Sequence, residues 1–260
     1  MNSIIKKIAI RAIKKAGIKL ADEYQKFDRT KVKLKSRHEI ITQADLDSEK
    51  IIINEIQKNF PKHNIFSEEA GKINQKSDYL WIIDPLDGTT NFSMHNPLWS
   101  ISMAVAYKKK IIFGIIFAPI LEEFYVAEKD RGAKMNGKKI KLSSVLAEKS
   151  LNIYCHGSTE KNLKRAIKYY TYQKLHGLDC RQLGSAAIEL AYVAVGRIES
   201  IVIPGANSYD VAAGALIVNE TGGKVTDFEG KEWNLNSKDI VASSKKSYKN
   251  ILKALKASGI

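Results

Sequence analysis

The sequence is short of several things. It has two cysteines in 260 residues, Cys155 and Cys180, in no Cys-x-x-Cys spacing. That argues against a disulfide framework or a structural zinc site and suits a reducing, cytoplasmic setting. No internal repeat, low-complexity tract or Pro/Gly/Ser-rich linker is present. Long apolar runs are missing too. The longest stretch free of Asp, Glu, Lys and Arg, from Gly88 to Tyr107, is interrupted by Asn91, His95, Asn96 and Pro97, whereas a membrane span needs about 20 mainly apolar residues. Acidic residues number 28 against 42 basic ones, a net charge of +14. Arginine is the scarce cation, confined to Arg11, Arg29, Arg37, Arg131, Arg165, Arg181 and Arg197. Specific nucleic-acid contacts favour the planar guanidinium, so a lysine-dominated excess reads first as a solvated surface. A nucleic-acid partner is possible on charge alone and is not favoured.

What is present describes a folded chain. A hydrophobic content of 44% excludes intrinsic disorder, and the length allows one large domain or two modest ones. Met1 to Tyr24 reads as a basic amphipathic helix, with Ile4, Ile5, Ile8, Ala12, Ile13, Ala16 and Leu20 on its apolar side. An interfacial anchor and an organellar presequence are the alternatives to a helix packed on the core. The missing apolar h-region and cleavage site favour the core. A second helix is expected over 44–60, with Leu46 and Ile51 to Ile53 inside and Pro61 ending it. Strands are expected at 80–83, 101–107, 111–118 and 123–128, with a hairpin turn at Asn136-Gly137. Strands and helices then alternate from Leu151 to Ala257. Composition and periodicity thus give mixed α and β, divided near Ser144–Ser150 into halves 1–147 and 148–260.

The basic residues leave two gaps. None lies between Trp81 and Tyr107, and only Arg197 lies between Gln182 and Gly223. Unusual acids sit in these gaps, and an Asp without nearby Lys suggests a metal as its cation. In Asp84-Pro85-Leu86-Asp87-Gly88-Thr89-Thr90 two carboxylates stand three apart where an apolar strand is expected to end. Pro85 fixes φ and Gly88 permits a tight turn, so both carboxylates and the Leu86 carbonyl can face one place. Hard oxygen ligands suit Mg2+, and free N–H groups after Gly88 suit an anion. Together they are the parts for metal-assisted phosphoryl transfer to water. The alternative, an Asp-rich turn with local hydrogen bonds, is the weaker reading for so constrained a segment. The five histidines show no metal spacing, with His95 a structural or rim residue. The cysteines read as small buried hydrophobes, and neither Ser158 nor Ser185 lies in Gly-x-Ser-x-Gly.

The segment Asp84 to Phe92 resembles the signature of the inositol monophosphatase family, Mg2+-dependent and lithium-sensitive phosphatases. Three further segments resemble its other motifs in the same order. They are Ile41 to Asp45 with Lys35 ahead of it, Phe66 to Glu69, and Tyr209 to Gly214, with Arg181 to Ala187 resembling its substrate loop. The resemblance implies an α+β fold, a layered α-β-α-β-α sandwich of the sugar-phosphatase type, and usually a homodimer. It implies two or three Mg2+ ions. Glu68, Asp84 and the Leu86 carbonyl would hold the first, and Asp84, Asp87 and Asp210 the second, with a third ion near Glu68. Asp45 and Thr89 would orient the attacking water, and Asp87 and the amides of Gly88 and Thr89 would meet the substrate. Lys35, Arg181, Gly184, Ser185 and Ala186 complete the implied substrate side. Asp210 is also readable as a simple helix N-cap.

Departures from the pattern blur the substrate. Ile203 stands where a hydroxyl-binding Glu is common, Tyr209 replaces a Trp, and His38-Glu39 replaces Asn-Asp. Inositol 1-phosphate or a related polyol or sugar monophosphate is expected. Histidinol phosphate, fructose 1,6-bisphosphate and a 3′-phosphonucleotide are alternatives. A basic protein of RNA or a transcription complex, with catalysis secondary, is an alternative of another class.

Overall fold

The computed structural model describes residues 3–36, 39–142 and 151–260. The expected junction near Ser144–Ser150 and His38 lie outside them, as does the side chain of Glu39. In chain order the elements begin with α1 (Ser3–Lys26), β1 (Lys33–Ser36), β2 (Glu39–Ile41), α2 (Gln43–Asn59), β3 (Asn64–Ser67) and β4 (Gly71–Ile73). Next come β5 (Tyr79–Asp87), α3 (Thr89–Ser93), β6 (Ser100–Tyr107), β7 (Lys110–Ala118), β8 (Glu123–Glu128), β9 (Ala133–Met135) and β10 (Lys138–Ile140). The second half holds β11 (Leu151–Tyr154), α4 (Glu160–Leu175), β12 (Asp179–Arg181), α5 (Ala186–Ala194), β13 (Ser200–Pro204), α6 (Ser208–Glu220), β14 (Lys224–Thr226), β15 (Asp239–Ser243) and α7 (Tyr248–Ala257).

The strands form an eight-stranded sheet, ordered β10-β9-β8-β7-β6-β5-β3-β4, and a five-stranded sheet, ordered β12-β11-β13-β15-β14, beside the small β1-β2 hairpin. Helices α1 and α2 pack together against the outer face of the larger sheet, α5 and α6 lie between the sheets, and α4 and α7 cover the far face of the smaller one. The result is the expected α-β-α-β-α sandwich. Alternation within β5 shows how a single strand serves two layers. Trp81 and Ile83 point into the core beneath α1 and α2, while Ile82 points into the core around α5 and α6.

Helix α1 packs on the core through Ile5, Ile8, Ala12, Ile13, Ala16 and Leu20, as its periodicity predicts. Two expected core positions are corrected: Ile4 is 56% exposed and Leu46 41% exposed, because each falls just off the buried stripe of its helix. Among the described residues no helix is long and apolar enough to cross a membrane.

The larger correction concerns β5. The strand does not end before Asp84 but runs on to Asp87 with an irregularity in its register. Asp84 pairs with Ser102 and Asp87 with Ser100, so three steps on β5 oppose two on β6. That one extra residue is a β-bulge. In a regular strand, side chains three apart face opposite sides. The bulge restores Asp87 to the face that carries Asp84, the face that looks towards α5 and α6.

Candidate active site

Four carboxylates from distant parts of the chain meet at the C-terminal end of β5. Asp84 and Asp87 come from the bulged strand. Glu68 follows β3, whose parallel pairing with β5 is extended by a bond from Glu68 N to the Ile83 carbonyl, 3.1 Å. Asp210 comes from the first turn of α6. The reading of Asp210 as an N-cap is corrected: Asn207 occupies that position, and its side chain donates to the Asp210 carboxylate at 3.3 Å.

Burial and mutual repulsion dominate the electrostatics. Asp84 and Asp210 are held well above the usual carboxylate range, first by burial, then by the charge of Glu68 and of Asp87. Glu68 is pushed up to about 7, mainly by burial, against the pull of Lys35. Asp87 is pushed up only to about 6, because the Ser185 hydroxyl and the amides of Ala187 and Ala186 favour its charged form. Those three groups open α5. Ser185 Oγ donates to Asp87 Oδ2, and the amides of Ala186 and Ala187 donate to its carboxylate at 3.1 and 2.8 Å. Here Ser185 and Ala186 are engaged with Asp87. A carboxylate at a helix N-terminus also gains from the helix dipole.

A second pair stands beside the cluster. Asp45 is buried in the first turn of α2. Its Oδ2 accepts from the Thr42 amide and hydroxyl at 2.8 and 2.6 Å, and its Oδ1 accepts from Thr89 Oγ1 at 2.9 Å. Thr89 Oγ1 is also 3.1 Å from the Leu86 carbonyl oxygen. Burial pushes Asp45 up to about 6, against these hydrogen bonds. Gly88 joins the two groups with φ +92°, and a Cβ there would meet the Leu98 carbonyl at 3.0 Å and the Gly184 carbonyl at 3.1 Å. Only glycine fits this connection.

Other expected residues fall at varying distance from the cluster. Lys35 reaches it, donating to Glu68 at 3.2 Å and Glu69 at 2.7 Å. Burial acts to lower the Lys35 pKa, but the two acids outweigh it and raise the value. Arg181 is exposed and paired with Asp179. Gly184, with φ +85°, lies at the turn before α5. Ile203 is buried in the core between the sheets. His95 bonds the Phe27 carbonyl and packs on Tyr24, a structural role. Cys180 is buried and Cys155 half-buried, and burial raises both thiols, as small core hydrophobes behave.

Sequence reasoning missed two buried acids that support the site. Glu49 in α2 accepts the amides of Glu69 and Ala70 at 3.2 and 3.0 Å, which fixes the turn after Glu68. Glu189 in α5 accepts the amides of Leu183 and Gly184. Neither lies in a motif, and each has its partners on a separate loop, so no local pattern marks it.

The donor set fits a hard divalent cation: buried carboxylate oxygens with a backbone carbonyl, and neither thiol nor imidazole among them. Among the described residues no three acidic, His or Cys side chains are already gathered as a coordination shell. The fit therefore lies in the donors' chemistry and in a mutual repulsion that a cation would relieve. Two cavities lie elsewhere among the described residues, one of about 770 Å³ beside the end of α6 and one of about 580 Å³ beside α1. Neither is lined by Glu68, Asp84, Asp87 or Asp210.

Comparison with known proteins agrees with this architecture. The model of the inositol monophosphatase family matches residues 1–259. The Nus factor SuhB of Pasteurella multocida is 37% identical over 249 residues, covering 94% of this chain and 93% of the relative. The fructose-1,6-bisphosphatase/inositol-1-monophosphatase of Thermotoga maritima is 37% identical over 247 residues, covering 95% and 94%. Among solved structures, the extragenic suppressor protein suhB of Bartonella henselae superposes with a TM-score of 0.90 at 32% identity, covering 97% and 98%. The Thermotoga maritima inositol monophosphatase superposes at 0.86 with 35% identity, covering 99% and 98%.

Proposed function

This chain belongs to the inositol monophosphatase family, and from that premise we propose that it is a Mg2+-dependent phosphomonoesterase of inositol 1-phosphate or a related polyol or sugar monophosphate. The observation that carries the reading is the bulge in β5. It sets Asp84 and Asp87 on one face, where they share a field with Glu68 and Asp210. Glu68, Asp84 and the Leu86 carbonyl would hold one Mg2+, and Asp84, Asp87 and Asp210 a second, with a third near Glu68. A Mg2+ held there would supply Lewis-acid polarisation of water and phosphate oxygens and positive charge for the leaving alkoxide.

The chain's own groups do the rest. Asp45 Oδ1 accepts a hydrogen bond from the Thr89 hydroxyl, which leaves the Thr89 oxygen's lone pairs to accept a hydrogen bond from the attacking water and aim it. The amides of Gly88 and Thr89, at the start of α3, donate to phosphate oxygens. Lys35, between Glu68 and Glu69, supplies positive charge on the approach. Ile203, buried in the core between the sheets, supplies no hydroxyl-binding group to the substrate. The reading includes a cytoplasmic homodimer, and within each chain the halves 1–147 and 148–260 both bring part of the site.

The test is phosphate release from a panel of monophosphates, with and without Mg2+, beside an Asp84→Asn control. Loss of a supporting residue around a metal commonly costs 10–100-fold, so loss of a shared ligand is expected to cost at least about a hundredfold. No substrate turned over above the Asp84→Asn rate would overturn the reading. The Nus factor names of several relatives, with the charge of +14, favour one second reading, a part in a transcription complex. Salt-sensitive RNA binding, unaffected by Asp84→Asn, would support it.

A further inference from the structure

We propose that Glu189 is a positioning residue for this site, setting the turn before α5 so that the helix presents its first donors to Asp87. The inference rests on the reading of Asp87 as a cation-holding residue.

Glu189 has no exposed surface, yet it lies on a helix whose other buried positions are apolar. An acid so placed costs free energy unless it is hydrogen-bonded. Its Oε1 accepts from the Leu183 amide at 2.7 Å and the Gly184 amide at 3.1 Å. These two N–H groups belong to the turn that leads into α5. The turn's carbonyls face the other way. Leu183 O accepts from Asn91 Nδ2 at 2.8 Å, and the same amide group donates to Leu98 O at 2.7 Å. Gly184 O stands 3.1 Å from the place where a Cβ on Gly88 would be. The turn is thus held from both sides, by Glu189 through its N–H groups and by the Gly88–Leu98 segment through its carbonyls.

One residue further on, Ser185 Oγ and the amides of Ala186 and Ala187 converge on Asp87. Glu189 is one helical turn along, its own amide bonded to Ser185 O at 3.0 Å, so its carboxylate folds back over the helix start. Without it, Leu183 and Gly184 lose a common acceptor in a buried place. The turn must then move to find water, and the three donors on Asp87 move with it. What the turn needs is an acceptor oxygen rather than a charge. Burial pushes the Glu189 carboxyl up to about 8, and its Oε2 has no hydrogen-bond partner among the described residues. Glutamine therefore supplies what the turn requires.

The experiment is calorimetric Mg2+ titration, with steady-state kinetics, of the full-length wild type, Glu189→Ala, Glu189→Met, Glu189→Gln and Glu199→Ala. Met keeps the packed volume and lacks the acceptor, so it decides the matter if the Ala chain does not fold. Glu199 is another buried acid, bonded to Ser244 and Ser247 far from Asp87, and its loss controls for a general drop in stability. In the Ala and Met variants Mg2+ is expected to bind about 10–100-fold more weakly, with kcat lowered in step. Glu189→Gln is expected within about threefold of wild type, and Glu199→Ala to lose thermal stability with Mg2+ affinity unchanged. A folded Glu189→Met that binds Mg2+ as the wild type does overturns the proposal, and so does a Gln variant as weak as Met. A wild type that binds no Mg2+ overturns instead the reading of the site on which the proposal rests.

Discussion

At the scale of single residues, the raised carboxyl groups make a prediction about pH. Asp45, Glu68 and Asp87 titrate at about 6, about 7 and about 6 in the fold, above the usual carboxylate range of about 4. A group that holds its proton more tightly in the fold than in the unfolded chain contributes stability that is full below its unfolded pKa. That contribution is lost as pH rises through the folded value. In a chelator, the melting temperature is expected to fall between about pH 4 and about pH 7, with added Mg2+ removing most of the fall. A flat profile in the chelator would contradict the burial assigned to these groups. The motif residues were legible in the sequence because Asp84 to Thr90 is tightly constrained and stands in a lysine gap. Glu49 and Glu189 were not, because each is a single acid on a helix with its partners elsewhere. Ile203 shows the limit of a resemblance. A Glu there would be buried in the core between the sheets, so Ile203→Glu tests stability as much as specificity.

At the scale of elements, the periodicity of α1, β6, β7 and β8 carried most of the architecture, and irregular backbone hid the rest. An alternating pattern cannot announce a bulge, and the strand through Pro85 was therefore expected to stop at Ile83. The short strands β1 to β4 carry too few residues for a period to show. The layer between the sheets depends on small residues that periodicity does not rank. A Cβ on Gly214 would lie 2.5 Å from Leu190 Cβ, where α6 meets α5. Gly214→Val is expected to destabilise the protein by roughly 1–3 kcal/mol through overpacking, read as a lower urea midpoint with an unchanged slope. It should also weaken Mg2+ binding, because it separates the helices that carry Asp210 and the donors to Asp87. A variant with normal stability would show that α5 and α6 are free to slide.

At the scale of the whole molecule, the charge of +14 and the carboxylate site pull in opposite directions. The site is locally acidic, and the rest of the surface is basic enough to draw phosphate esters inward. Salt is therefore expected to lower kcat/KM while leaving kcat nearly unchanged, because steering acts on encounter and is screened over roughly 10 Å at 0.1 M ionic strength. A salt effect confined to kcat would argue against steering. The cluster has a further consequence, in the currency of protons. Carboxyl groups that keep part of their protons near neutrality must release them when a cation takes their place. On the proposed function the site is then an exchanger, in which each Mg2+ that enters would send acid into the solvent. The apparent heat of Mg2+ binding will differ between buffers of different ionisation enthalpy, and the slope of that dependence counts the protons. The affinity for Mg2+ will rise with pH until the last of them has left.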